Sequence, residues 1–188
     1  MKRGRLRVLR PATVRYLAAA LALALVVALF SVYLAIRSGG RTERAGGATA
    51  AERLYSLVLE DAEGKAQPLA QWRGKLLVVN FWATWCTPCV AEMPELDRLQ
   101  RVYAARNVTI IGIGMEDSEH VRGFRDRLGL HLTLLAGGNQ ALALAQELGD
   151  KQAVLPYTVL LSTKGELLAW RVGTLEPGQL DRWLSAAP

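Results

Sequence analysis

Cysteine and histidine are scarce in this chain, two of each among 188 residues. Two cysteines cannot form the multi-bridge framework that staples small secreted domains, and they cannot fill a cysteine-only zinc site. The histidines, His120 and His131, lie over 30 residues beyond the cysteines and 11 apart, which fits no compact zinc finger. They read as ordinary surface or loop groups, and neither a metal nor another cofactor is expected. Acidic side chains are absent from residues 1–41, which hold Lys2, Arg3, Arg5, Arg7, Arg10, Arg15, Arg37 and Arg41. The chain has 23 basic and 17 acidic groups, net +6, so the other 147 residues hold 15 against 17, net −2. The basic character thus belongs to the front end, and a polyanion-binding domain is excluded; no nucleic-acid partner is expected. Hydrophobic types at 51% and charged types at 21% exclude a disordered chain and one that lies mostly in a membrane.

Charge is also missing from Leu17 to Ile36, 20 consecutive residues rich in Ala, Leu and Val. As a helix rising about 1.5 Å per residue they span about 30 Å, the thickness of a bilayer's hydrocarbon core. Six basic groups precede this segment and two follow closely, so the positive-inside rule keeps residues 1–16 cytoplasmic and sends everything after residue 36 across the membrane. A cleaved signal peptide is the alternative. Its apolar stretch is typically about 7–15 residues, and the one Ala-x-Ala pattern here, Ala48–Thr49–Ala50, lies well downstream. Residues 37–53 are small and polar for most of their length and read as a flexible tether. The folded domain is expected over residues 54–188.

Within that domain, Leu54–Leu59 reads as a strand running into the Asp61–Lys65 turn. Leu76–Trp82 and Val108–Met115 are nearly uninterrupted apolar runs, typical of buried strands. Val90–Arg106 has helical periodicity, with Met93, Leu96, Leu99, Val102 and Tyr103 on one stripe. Ser118–Leu128 and Gln140–Leu148 read as helices stopped by Gly129 and Gly149. Tyr157–Leu161 and Glu166–Val172 form a hairpin across Ser162–Gly165, and Glu176–Leu184 closes the chain as an amphipathic helix. This order predicts an α/β fold with a mixed sheet flanked by helices on both faces.

The chemistry lies where a buried strand hands over to a helix, at Trp82-Ala83-Thr84-Trp85-Cys86-Thr87-Pro88-Cys89. Near a helix N-terminus, unpaired N–H groups and the helix dipole favour a thiolate at Cys86, the form that attacks disulfides. Cys89, one turn further on, can resolve the mixed disulfide, while Pro88 stiffens the intervening turn. A structural disulfide across this spacing closes almost no loop and constrains the unfolded chain little.

Asn80-Phe81-Trp82-Ala83-Thr84-Trp85-Cys86-Thr87-Pro88-Cys89, followed by Glu92-Met93-Pro94-Glu95-Leu96, resembles the membrane-anchored, extracytoplasmic TlpA/ResA-like branch of the thioredoxin superfamily. The similarity runs over roughly Leu54 to Leu184. It implies a thioredoxin fold with an added N-terminal β-hairpin, with strands at 54–59 and near 66–70. It also implies an exposed attacking thiol at Cys86, a buried resolving thiol at Cys89, a helix kink at Pro94 and a cis-proline loop at Leu155–Pro156 that meets the substrate. Trp85 resembles the family's exposed active-site tryptophan, whereas Trp82 reads as core support. Asn80 stands where thioredoxins carry a buried aspartate, so that proton relay is absent. Glu92 resembles a glutamate placed beside the cysteines, where it would assist their proton transfers. The implied partners are client proteins with disulfides, apocytochrome c foremost, and a membrane thiol transporter that supplies electrons. A disulfide oxidase or isomerase would use the same residues, and a non-catalytic binding module on this fold would not need Cys86. A peroxidase is disfavoured, because Val79 and Ala83 occupy the positions of its Pro-x-x-x-Thr-x-x-Cys motif.

Overall fold

The computed structural model describes residues 24–30 and 50–187. Of the expected membrane anchor only 24–30 lie in this range. They are helical and exposed, and the rest of the anchor and most of the tether lie outside the described residues. Among the described residues, no helix is long and apolar enough to cross a membrane.

Seven strands form one sheet among the described residues: β1 (Val58–Asp61), β2 (Ala66–Pro68), β3 (Leu76–Trp82), β4 (Val108–Gly114), β5 (Thr133–Ala136), β6 (Tyr157–Leu161) and β7 (Leu167–Val172). Their order is β2-β1-β5-β4-β3-β6-β7. β3, β4 and β5 run parallel, and β6 and β7 continue the sheet antiparallel beside β3. β1 and β2 form the expected N-terminal hairpin, which joins the sheet through β5. Beside the helical residues 24–30 and 50–56, the helices that follow β3 are α1 (Thr87–Tyr103), α2 (Ser118–Leu128), α3 (Gly138–Glu147) and α4 (Gln179–Ala186).

Alternation along the central strands supplies two cores. Leu77, Val79 and Phe81 of β3 point to the face covered by α3, with Ile111, Ile113, Tyr157, Val159 and Leu161 beside them. Val78 and Trp82 point to the opposite face, against Met93 and Leu96 of α1, Phe124 of α2 and Leu180 and Leu184 of α4. β3 is thus apolar on both sides, as a central strand must be. At the active-site end its Trp82 indole packs on Phe124, with ring centroids 4.4 Å apart, over Gly112 of β4. A Cβ at Gly112 would lie 2.6 Å from a Leu134 methyl and 3.0 Å from Trp82 Nε1, so glycine is what lets the indole lie flat on the sheet.

Three expectations need correction. Residues 50–56 are helical, and the first strand begins only at Val58. Ala50, Ala51, Leu54 and Tyr55 are all buried, a spacing that suits one helix face. The fold therefore takes in residues 50–53, part of the expected tether. The four-residue β5 occupies a stretch to which the sequence reading assigns no element. On α1, Met93, Leu96, Leu99 and Tyr103 are buried as expected, but Val102 is exposed.

Candidate active site

β3 ends at Trp82, and the chain makes one tight turn before α1 begins. Cys86 is the N-cap of α1: its backbone is extended, and its Sγ accepts from the Cys89 N–H at 3.3 Å. Pro88 sits in the first helical turn, where the N–H it lacks would have had no helical partner anyway. Cys86 and Cys89 are joined as a disulfide, with their Cα atoms 5.2 Å apart. Cys86 retains 6% of its surface and Cys89 none. The two thiols thus differ in the expected sense, although "exposed" overstates Cys86, of which only a small part meets solvent. Thr87 and Pro88 are exposed at the helix start, and Trp85 is 71% exposed beside them.

The Leu155–Pro156 bond is cis. Phe81 pairs with Tyr157 across β3 and β6, which brings Pro156 to the sheet end from which the Cys86 turn springs. Leu155 packs against the cluster that contains both cysteines. The Pro156 carbonyl accepts from the Gly173 N–H at 2.8 Å, tying the loop to the end of β7.

Glu92 is 7% exposed and therefore no solvated helix carboxylate. Asn80 Nδ2 donates to Glu92 Oε1 at 2.7 Å and to Thr158 Oγ1 at 2.9 Å, and the Leu175 N–H donates to Glu92 Oε2 at 3.1 Å. Burial pushes the Glu92 carboxyl above its ordinary value, while the Leu175 and Asn80 donors pull the other way. The Asn80 amide thus holds the glutamate. Glu92's hydrogen-bond partners are Asn80 and Leu175 rather than either sulfur.

One residue of the site has no place in the sequence reading. Glu116, two residues past β4, accepts from the N–H and the hydroxyl of Thr84 in the Cys86 turn. Its position just beyond the carboxyl end of a parallel strand was the available signal, because α/β sheets build their sites there. The two histidines stand apart: His120 pairs with Asp117 at the exposed start of α2, and the exposed His131 donates its N–H to Asp97.

A mixed sheet that carries a redox dithiol at a helix N-cap, beside a cis-proline loop, defines a class of protein, the thioredoxin-fold thiol–disulfide oxidoreductases. Residues 48–182 match the Redoxin family, and the chain belongs to that family. It is 31% identical over 147 residues to the thiol-disulfide oxidoreductase ResA of Geobacillus kaustophilus, covering 78% of this chain and 80% of that one. It is 30% identical over 167 residues to ResA of Halalkalibacterium halodurans, covering 88% of each. Among solved structures, a thiol:disulfide interchange protein of the thioredoxin family from Chlorobium tepidum superposes with a TM-score of 0.62 at 25% identity, covering 70% of this chain and 92% of the other. The chain is a ResA-like thiol–disulfide oxidoreductase.

Proposed function

We propose that the enzyme is tethered to the bacterial cytoplasmic membrane and reduces disulfides of extracytoplasmic client proteins, apocytochrome c foremost, through Cys86 and Cys89. The observation that carries the chemistry is Cys86 at the N-cap of α1 with Cys89 one turn inside. The helix terminus favours the Cys86 thiolate, which attacks one sulfur of the client disulfide and expels the other as a thiolate. Cys89 then gives up its proton and attacks Cys86 Sγ, releasing the second client sulfur. Two electrons have left the dithiol, the client holds two thiols, and the enzyme holds the Cys86–Cys89 disulfide. Glu92 assists the proton transfers, Trp85 docks the client, and the backbone of Leu155 and Pro156 meets the client chain. A membrane thiol transporter returns the enzyme to its dithiol form, and confinement to one surface raises the frequency of that encounter. The support for tethering is the uncharged run Leu17–Ile36 behind a basic N-terminus.

Cys89→Ala, expressed in the native membrane, is expected to accumulate disulfide-linked clients on Cys86, and Cys86→Ser is expected to accumulate none. Equal adducts in both variants would overturn the assignment of Cys86. Equilibration with glutathione tests direction: a potential near that of strong thiol oxidants, about −120 mV, would make the enzyme an oxidase.

A further inference from the structure

The turn that delivers Cys86 to α1 is held from outside its own backbone. The Cys86 N–H donates to the Ala83 carbonyl at 3.2 Å, closing a β-turn with Thr84 and Trp85 at its centre. The N–H of the first central residue has no partner within such a turn. Here it donates to both carboxylate oxygens of Glu116, at 3.0 and 3.1 Å, and the Thr84 hydroxyl donates to Glu116 Oε1 at 2.5 Å. Three contacts to one carboxyl group hold the turn more firmly than a single hydrogen bond would. Their anchor is itself fixed, since the neighbouring Met115 N–H donates to the Trp82 carbonyl at 3.0 Å. Glu116 thus grips the middle of the turn from a backbone already tied to its start. Trp85, the next residue, is 71% exposed, so its direction is set by the turn far more than by packing.

We propose that Glu116 is a positioning residue for exchange with protein clients: through Thr84 it fixes the Ala83–Cys86 turn, so that Trp85 and the Cys86 sulfur face an incoming polypeptide together. The inference rests on the docking role given to Trp85 above. A folded or extended polypeptide needs both groups in register, whereas a small disulfide needs only the sulfur. Loss of the grip therefore separates the two kinds of substrate, and it acts on client binding more than on the thiol.

The test uses the full chain in detergent, reduced beforehand, in single-turnover reactions with insulin as a protein disulfide and oxidised glutathione as a small one. Glu116→Ala is expected to raise the half-saturating insulin concentration about tenfold, the worth of one charged hydrogen bond. Its limiting rate and its rate with glutathione should stay within about twofold of the parent's. Glu116→Gln keeps an acceptor and should stay within about threefold on insulin, and Thr84→Val, which loses only the hydroxyl, should fall between Gln and Ala. The proposal is overturned by an unchanged insulin dependence in Glu116→Ala, by equal slowing on both substrates, or by Glu116→Gln failing as badly as Glu116→Ala. If Glu116→Ala does not fold, Thr84→Val decides, and parental insulin dependence there sinks the proposal. Trp85→Ala run in parallel separates the two readings. If it leaves insulin binding unchanged, the docking role itself fails; if it weakens binding while Glu116→Ala does not, only the Glu116 inference falls.

Discussion

A carboxylate taken out of water keeps its charge only as far as hydrogen-bond donors replace the solvent, and Glu92 has two such donors, Asn80 Nδ2 and the Leu175 N–H. They offset the burial only in part, so its carboxyl stays protonated to higher pH in the folded protein than in the unfolded chain. The sign for stability follows. Above the ordinary value of 4.5, the unfolded chain gives up this proton while the folded protein still holds it, so each rise in pH favours unfolding until the folded carboxyl has ionised too. Glu92→Gln removes the titration and leaves an amide of the same shape. Its stability relative to the parent is therefore expected to rise with pH across that window and to level off above it, as urea unfolding between pH 4 and pH 8 would show. A parallel pair of stability curves would mean that Glu92 titrates alike in both states. At this scale the dithiol and Pro88 are legible in the sequence, because they are local and their spacing on a strand-to-helix junction carries the message. Glu92 enters only through the family resemblance, and its bonds to Asn80 and Leu175 are long-range. The Glu116–Thr84 contact is not legible: the two residues lie 32 apart, and only the β3–β4 pairing brings them together.

Helix α1 has two separate tasks, presenting the dithiol at its start and bracing the sheet at its middle. Asp97 serves the second. Its buried Oδ1 accepts from the N–H groups of His131 and Leu132 at 2.7 and 2.6 Å, and its Oδ2 meets Arg101. Those two donors stand just ahead of β5, so Asp97 pins the strand that joins the N-terminal hairpin to the rest of the sheet. Asp97→Ala leaves both N–H groups without their acceptor and is expected to cost about 2–4 kcal/mol in urea unfolding. Because Asp97 lies two turns beyond Cys89, the single-turnover rate with glutathione should stay near the parent's. A loss under about 0.5 kcal/mol would remove Asp97 from the bracing role. The same contact explains what is illegible at the element scale. β5 is four residues long and offers too few positions for a period to register, and its pairing is set by β4 and by α1 rather than by its own pattern. The long strands β3 and β4 register as unbroken apolar runs, and the stripe of α1 registers because it spans three turns, Val102 excepted.

At the scale of the molecule, the sequence divides into a basic, apolar front and a slightly acidic domain, and what is in question is where the domain begins. The match to the Redoxin family starts at residue 48, and the described part of the fold that holds the dithiol starts at Ala50. Small, polar residues up to position 49 mask the boundary in the sequence, since alanine and glycine suit a tether as well as the start of a helix. The helical residues 50–56 settle into the core with Ala50, Ala51, Leu54 and Tyr55, and Ala51 and Tyr55 lie against the Gly165 turn. Arg73 lies over the Tyr55 ring, 4.4 Å from its centroid, and pairs with the exposed Glu52, a contact of little net worth in water. A chain beginning at residue 44 is therefore expected to fold and to reduce oxidised glutathione at the rate of the full protein. A chain beginning at Leu54 loses two buried methyl groups and the first turn of that helix, a cost of about 1–2 kcal/mol at about 0.8 kcal/mol per buried carbon. Thermal unfolding of the two truncations side by side is the measurement. Equal midpoints would return residues 50–53 to the tether, whereas a lower midpoint for the shorter chain, with the exchange rate intact, would fix the domain's start at or before Ala50.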